Sequence, residues 1–111
     1  MPGEAVVKDA KRGFLKENIS EADFQRQVLD LADLFGWTTY HTYDSRRSRQ
    51  GFPDLVMVKR GRLIFAEIKS EKGRLSDEQE IWQGKLAEVE FYSRGNVTVR
   101  VWRPSDWPRN H

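Results

Sequence analysis

The chain has 111 residues, no cysteine and a formal net charge of +2. This length fits one domain with a single core, and the lack of cysteine excludes disulfide scaffolds, thiolate metal sites and cysteine nucleophiles. The small net charge hides a segregation along the chain. Basic residues dominate residues 37–62 and 91–111, whereas acidic residues dominate residues 1–36 and 63–90.

The N-terminal residues carry a weaker structural signal than the rest. Residues 1–18 show only a faint helical stripe among charges, so we expect a loose arm there and a folded domain over residues 19–111. The N-terminus lacks the apolar centre of a signal peptide, and no apolar run is long enough to span a membrane. These features favour a cytoplasmic protein without a membrane partner.

A helix is predicted to begin after Ser20, which is a favoured N-cap residue. Glu21 and Asp23 follow in its first turn, where the helix dipole favours acidic side chains. Gly36 is typical of a helix C-terminus. The apolar stripe expected to face the core consists of Phe24, Val28, Leu31 and Phe35.

Strands and a basic loop are predicted next. The β-branched and aromatic residues 37–43 indicate a strand, and the polar, basic residues 44–53 indicate a loop closed by turn formers. Two apolar runs, at 55–58 and 63–68, then indicate a β-hairpin with Arg60-Gly61 at its tip.

A second helix is predicted from Ser76, because Ser76 and Gln79 have the spacing of a capping box. We expect it to end before Gly95, with an inward face formed by Trp82, Leu86 and Val89. Residues 70–74 before it indicate a loop, residues 97–102 after it a strand, and the tail from Pro104 a short turn. The order α-β-β-β-α-β predicts an α/β fold with a mixed central sheet flanked by helices.

Two acidic residues at the ends of apolar strands are the most informative feature. With Arg60-Gly61 at the hairpin tip, Asp54 lies opposite Glu67, and Lys69 lies on the same face. Two carboxylates at about 5 Å repel by roughly 3 kcal/mol at an effective dielectric constant near 20, and a divalent cation between them turns repulsion into attraction. Hard oxygen ligands suit Mg²⁺ or Mn²⁺. The alternative is a surface acid and an exposed Glu67–Lys69 ion pair.

At these residues the chain resembles a known enzyme family. Pro53-Asp54 followed by Glu67-Ile68-Lys69 matches the signature of PD-(D/E)XK nucleases. Ser20-Glu21, the run Gly51-Phe52-Pro53-Asp54-Leu55, and Leu75-Ser76 followed by Gln79 and Trp82 resemble the VRR-NUC branch, the virus-type replication-repair nucleases, in its small stand-alone phage or bacterial form. The resemblance covers roughly residues 20–103 and implies a restriction-endonuclease-like core.

The resemblance also implies roles for individual residues. Asp54 and Glu67 would bind the catalytic Mg²⁺ or Mn²⁺, together with the backbone carbonyl of Ile68. Glu21 would complete the acidic cluster directly or through water. Lys69 would be the catalytic lysine, and Gln79 would lie beside the site, although a capping role alone also explains a glutamine at this position.

Basic residues near this motif are candidates for contacts with the DNA backbone. The alternative is a solvated loop without a binding role. The candidates are Ser45, Arg46, Arg47 and Arg49 before Asp54, and Lys72 and Arg74 after Lys69.

Together these features predict a metal-dependent endonuclease that hydrolyses phosphodiester bonds in DNA, in a bacterial or phage-infected cell. A chain of this size has no room for a separate recognition domain, but a two-fold homodimer would present two equivalent sites. That arrangement suits a four-way junction, so a Holliday-junction resolvase is the preferred hypothesis. The alternatives are a nuclease for flaps or other branched DNA in phage replication and repair, and a non-catalytic DNA-binding module.

Overall fold

The computed structural model describes residues 19–42 and 49–107, and within them it contains two helices, four strands and one short 3₁₀ turn. No helix in this part of the chain is long and apolar enough to cross a bilayer. The expected arm at residues 1–18 lies outside the described residues. In chain order the elements are α1 (Glu21–Leu34), β1 (Thr38–His41), β2 (Leu55–Lys59), β3 (Arg62–Ile68), α2 (Asp77–Tyr92), β4 (Val97–Trp102) and the 3₁₀ turn (Pro104–Asp106).

The four strands of the described residues form one mixed sheet in the order β1-β2-β3-β4. The first three are antiparallel neighbours, and β4 runs parallel to β3. The hairpin turns through Arg60 and Gly61, whose φ angles are 49° and 79°, as a two-residue type I′ turn requires. Leu55 pairs with Ala66 in β3, so the predicted hairpin register and the predicted fold class are both confirmed.

Helix α1 covers one face of the sheet and forms the core with it. The Ser20 hydroxyl accepts a hydrogen bond from the Asp23 amide at 3.1 Å, which confirms the predicted N-cap. The buried cluster consists of Phe24, Val28 and Ala32 from α1 and Leu55, Met57, Ala66 and Ile68 from the sheet. The expected place of Phe35 on the buried stripe is wrong, because this residue ends the helix and is 59% exposed.

Helix α2 lies on the opposite side of the sheet and covers it only in part. Val89, expected on the inward face, is 50% exposed, and no residue of α2 is fully buried. The helix packs along the edge strand β4, where the Glu90 carboxylate accepts a hydrogen bond from the Val99 amide at 2.9 Å. A helix placed over a sheet edge buries less surface than one across the middle, which explains why the predicted inward face is only half covered.

The segment before β2 is fastened to the N-terminal half of α2. The indole Nε1 of Trp82 donates to the carbonyl of Gln50 at 3.1 Å, and the Phe52 ring packs edge-on against the rings of Phe65 and Trp82. Gly51 has φ +90°, and a Cβ there would lie 2.5 Å from the backbone of Glu78. Only glycine fits this close approach, which fixes the entry of the chain into β2 at Asp54.

Candidate active site

Three carboxylates from three different elements meet at one end of the sheet. Glu21 starts α1, Asp54 directly precedes β2, and Glu67 lies near the end of β3. One carboxylate oxygen from each of them lies within 4.8 Å of the other two. The geometric prediction for Asp54 and Glu67 therefore holds, and the first helix adds a third acidic group.

Asp54 is held in place by backbone hydrogen bonds on both sides. Its Oδ2 accepts a hydrogen bond from the Ile68 amide at 2.8 Å, and its own carbonyl accepts one from the Thr42 amide at 3.1 Å. Pro53 immediately before it is buried. The carboxylate thus continues the β2–β3 ladder by one position and has little freedom to move away from Glu67.

Glu67 is the only buried charged side chain in the part of the chain that the structure describes, with 1% exposure. Burial, and after it the neighbouring Asp54 carboxylate, together raise the pKa of Glu67 to about 9, against the opposing charge of Lys69. The Oε1 of Glu67 is buried without a hydrogen-bond partner. Without a bound cation, the carboxyl group is therefore protonated at neutral pH, because the neutral form avoids both desolvation and repulsion.

Gln79 connects the start of α2 to Glu67. Its side-chain Oε1 accepts a hydrogen bond from the backbone N–H of Ser76 at 2.8 Å, while the Ser76 hydroxyl accepts one from the backbone N–H of Gln79 at 3.1 Å. The predicted capping box is thus confirmed. Because the cap uses the oxygen of the Gln79 side-chain amide, the nitrogen of that amide points the other way and donates to Glu67 Oε2 at 2.7 Å. One side chain both caps the helix and orients a carboxylate.

Lys69 supplies the positive charge of the cluster. Its charge lowers the pKa of Glu67 and of Glu21, in each case against the stronger effect of burial. For Glu21 burial prevails, and the pKa is raised overall. The Lys69 amide donates to the carbonyl of Trp102 at 3.0 Å, so the backbone that carries this ammonium is fixed to the end of β4.

The donor set fits a divalent cation with hard oxygen ligands. Three carboxylates converge, and one of them has a buried oxygen that no protein group satisfies. Such an oxygen costs free energy unless a proton or a cation compensates it. Mg²⁺ and Mn²⁺ prefer this kind of ligand, whereas the cluster offers neither sulfur nor imidazole for softer metals.

The structure describes four of the seven remaining candidate residues. The Ile68 side chain is buried in the core and its amide is bonded to Asp54. Arg49, Lys72 and Arg74 are exposed, the first in the loop before Asp54 and the other two in the loop after Lys69. Ser45, Arg46 and Arg47 lie outside the described residues.

Sequence reasoning missed the support given by Trp82 and Gly51. Trp82 was expected in the core, but it is half-buried and holds the segment that positions Asp54. The available signal was the glycine in the Gly51-Phe52-Pro53 run before the aspartate, because glycine is favoured where a backbone must approach another group closely. Gly51 approaches the backbone of Glu78, which is 27 residues further along the chain, and no local sequence pattern identifies a partner at that distance.

Comparison with known proteins gives one result that bears on this site. The model of the VRR-NUC domain family matches residues 11–102, which is most of the chain and includes the three carboxylates, Lys69 and Gln79. Neither a curated protein nor a solved structure matches the chain.

The buried carboxyl group of Glu67 should make the free energy of unfolding of the metal-free protein depend on pH. Between pH 4.5 and about 9, the folded protein keeps a proton on Glu67 that the unfolded chain releases. The free energy of unfolding should therefore fall as pH rises through this range. Glu67→Gln, which mimics the neutral form, should make the dependence shallower in urea unfolding followed from pH 5 to 9. Glu88→Gln, at an exposed position of α2, is the matched control, and an equal slope in both variants would contradict the assignment.

Proposed function

Because the chain belongs to the VRR-NUC family of nucleases, we propose that it is a divalent-metal-dependent endonuclease that cuts DNA at the cluster of Glu21, Asp54 and Glu67. The observation that supports this most strongly is the convergence of three carboxylates from three elements around a buried, unpartnered oxygen. A solvent-exposed ion pair would need neither the burial of Glu67 nor the glutamine directed at it.

The contacts described above and the family membership support the following proposed roles. Asp54 and Glu67, with Glu21 and the Ile68 carbonyl, hold Mg²⁺ or Mn²⁺. When bound, the cation polarises the scissile phosphate and makes a water molecule more acidic. Lys69 orients the attacking water in line with the leaving oxygen and neutralises charge that develops on the phosphate. Gln79 keeps the Glu67 carboxylate directed into the cluster.

Backbone contacts, rather than base contacts, are proposed to deliver DNA to this site. The exposed side chains of Arg49, Lys72 and Arg74, together with Ser45, Arg46 and Arg47, flank the acidic cluster in the sequence. Cations in such positions bind phosphates irrespective of base sequence. Recognition would then depend on the shape of the DNA.

The substrate that we propose is branched DNA. We propose that two copies of the chain form a homodimer whose symmetric sites cut a four-way junction, as a Holliday-junction resolvase does. The support is geometric: a two-fold dimer would present two equivalent sites to the two symmetric strands of a junction. Flap or splayed-arm cleavage in phage replication and repair, and DNA binding without cleavage, are the outcomes that tests must separate from it.

Substitutions within the cluster test the nuclease activity. Asp54→Asn and Lys69→Met should each lower the rate of Mg²⁺-dependent cleavage by roughly 10²-fold or more, because each removes a charge that acts on the reacting phosphate. Asp30→Asn and Lys85→Met make the same changes at exposed positions and should cleave like the wild type. If Asp54→Asn and Lys69→Met cut branched DNA as fast as the wild type, the proposed activity is wrong.

A panel of DNA substrates tests the branched-DNA proposal. With Mg²⁺ or Mn²⁺, we expect the protein to cut an immobile four-way junction by paired, symmetric incisions, and to cut it faster than a flap, a splayed arm or a linear duplex of equal length. Light scattering at the working concentration should give the mass of two chains. Preference for linear duplex, or a monomeric mass, would contradict the resolvase proposal and leave the nuclease proposal intact.

A further inference from the structure

One arginine fastens the loop that follows Lys69. Arg103 is the first residue after β4, and its half-buried side chain reaches across to residues 70–73. Its Nη1 donates to the carbonyl of Ser70 at 2.9 Å and also to the carbonyl of Gly73. The Glu71 carbonyl lies 3.4 Å from the same nitrogen. Successive backbone acceptors of a single loop thus converge on a single guanidinium group.

The segment around Arg103 holds this loop at a second point. The Glu71 carboxylate accepts a hydrogen bond from the Ser105 amide at 2.9 Å. The Arg103 amide donates to the carboxylate of Asp106 at 2.8 Å, which closes the 3₁₀ turn. The loop is therefore fixed both through its backbone and through the Glu71 side chain to the segment that follows β4.

The fastened loop passes beside the stem of Lys69. A Cβ added to Gly73 would lie 3.5 Å from Cδ of Lys69 and 2.8 Å from Oγ of Ser70. The backbone of residue 73 thus passes about one methyl group away from the lysine stem and forms a wall on that side of the space open to it. If the loop moved away, the lysine stem would lose this wall, although its own backbone would stay bonded to Trp102.

We propose that Arg103 is a positioning residue that holds residues 70–73 against Lys69 and thereby fixes the ammonium group relative to the three carboxylates. This inference rests on the proposed nuclease function of the same cluster. Arginine suits the task because its planar guanidinium stays charged and presents its donors in a fixed fork. Lysine keeps the charge but has a shorter reach and a different donor geometry.

The kinetics of Mg²⁺-dependent DNA cleavage test whether Arg103 positions Lys69. Arg103→Ala should lower kcat about 10–100-fold, because a shift of about 1 Å in a catalytic group costs this much, while KM stays close to the wild-type value. Arg103→Lys should restore part of kcat. The matched control is Arg100→Ala. It removes an arginine of β4, three residues before Arg103, whose side chain bonds to Glu90 and to the Val99 carbonyl instead, and it should retain wild-type kinetics.

Limited trypsin digestion tests the loop without DNA or metal. Lys72 and Arg74 are exposed cleavage sites in and next to the fastened segment. Arg103→Ala should be cut at these sites faster than the wild type and Arg100→Ala, with Arg103→Lys in between. If Arg103→Ala fails to fold, Glu71→Ala removes the second fastening point and should show the same two effects in weaker form.

The outcomes separate the inference from the function on which it rests. Unchanged digestion of Arg103→Ala would show that Arg103 does not hold the loop. Faster digestion with unchanged kcat would reduce Arg103 to a structural role, and a raised KM with unchanged kcat would make it a DNA contact; either result overturns the inference. A wild-type protein that cuts no DNA would refute the proposed function, whatever digestion reports on the loop.

Discussion

The arrangement of the candidate site depends on the burial of the Glu67 carboxyl group beside Asp54. A carboxylate with 1% exposure next to a second acid is unfavourable as a pair of unscreened charges. The fold tolerates it because a proton, the Gln79 amide and the nearby ammonium of Lys69 share the compensation. A cation can take over the role of the proton. The buried acidic pair, which is unfavourable in the metal-free protein, therefore favours the binding of a metal ion.

The surrounding elements each hold one group in this cluster. The α1 N-terminus brings Glu21, the aromatic contacts of Phe52 hold the approach to Asp54, and the capping box of α2 directs Gln79. The end of β4 fixes the backbone of Lys69. By contrast, much of the C-terminal half of α2 is exposed.

The sequence predicted the approach of Asp54 to Glu67 better than it predicted the helix faces. A two-residue turn at Arg60-Gly61 leaves one register for the hairpin, and that register alone brings Asp54 to Glu67. Phe35 and Val89 occur at the helical spacing of buried residues, yet both are exposed. The spacing does not reveal where a helix ends or that it lies over a sheet edge. Arg103 was missed for a related reason, since its acceptors are backbone carbonyls about thirty residues earlier in the chain.

Proton release on metal binding distinguishes a buried Glu67 that exchanges its proton for a metal ion from one that does not. At pH 7.5, titration of the metal-free protein with Mn²⁺ in buffers of different ionisation enthalpy should reveal the release of about one proton per bound ion, because the carboxyl pair gives up the proton held near pKa 9. Glu67→Gln should bind the ion more weakly and release no such proton. Saturable binding without proton release, or equal binding by the variant, would contradict a buried Glu67 that exchanges its proton for a metal ion.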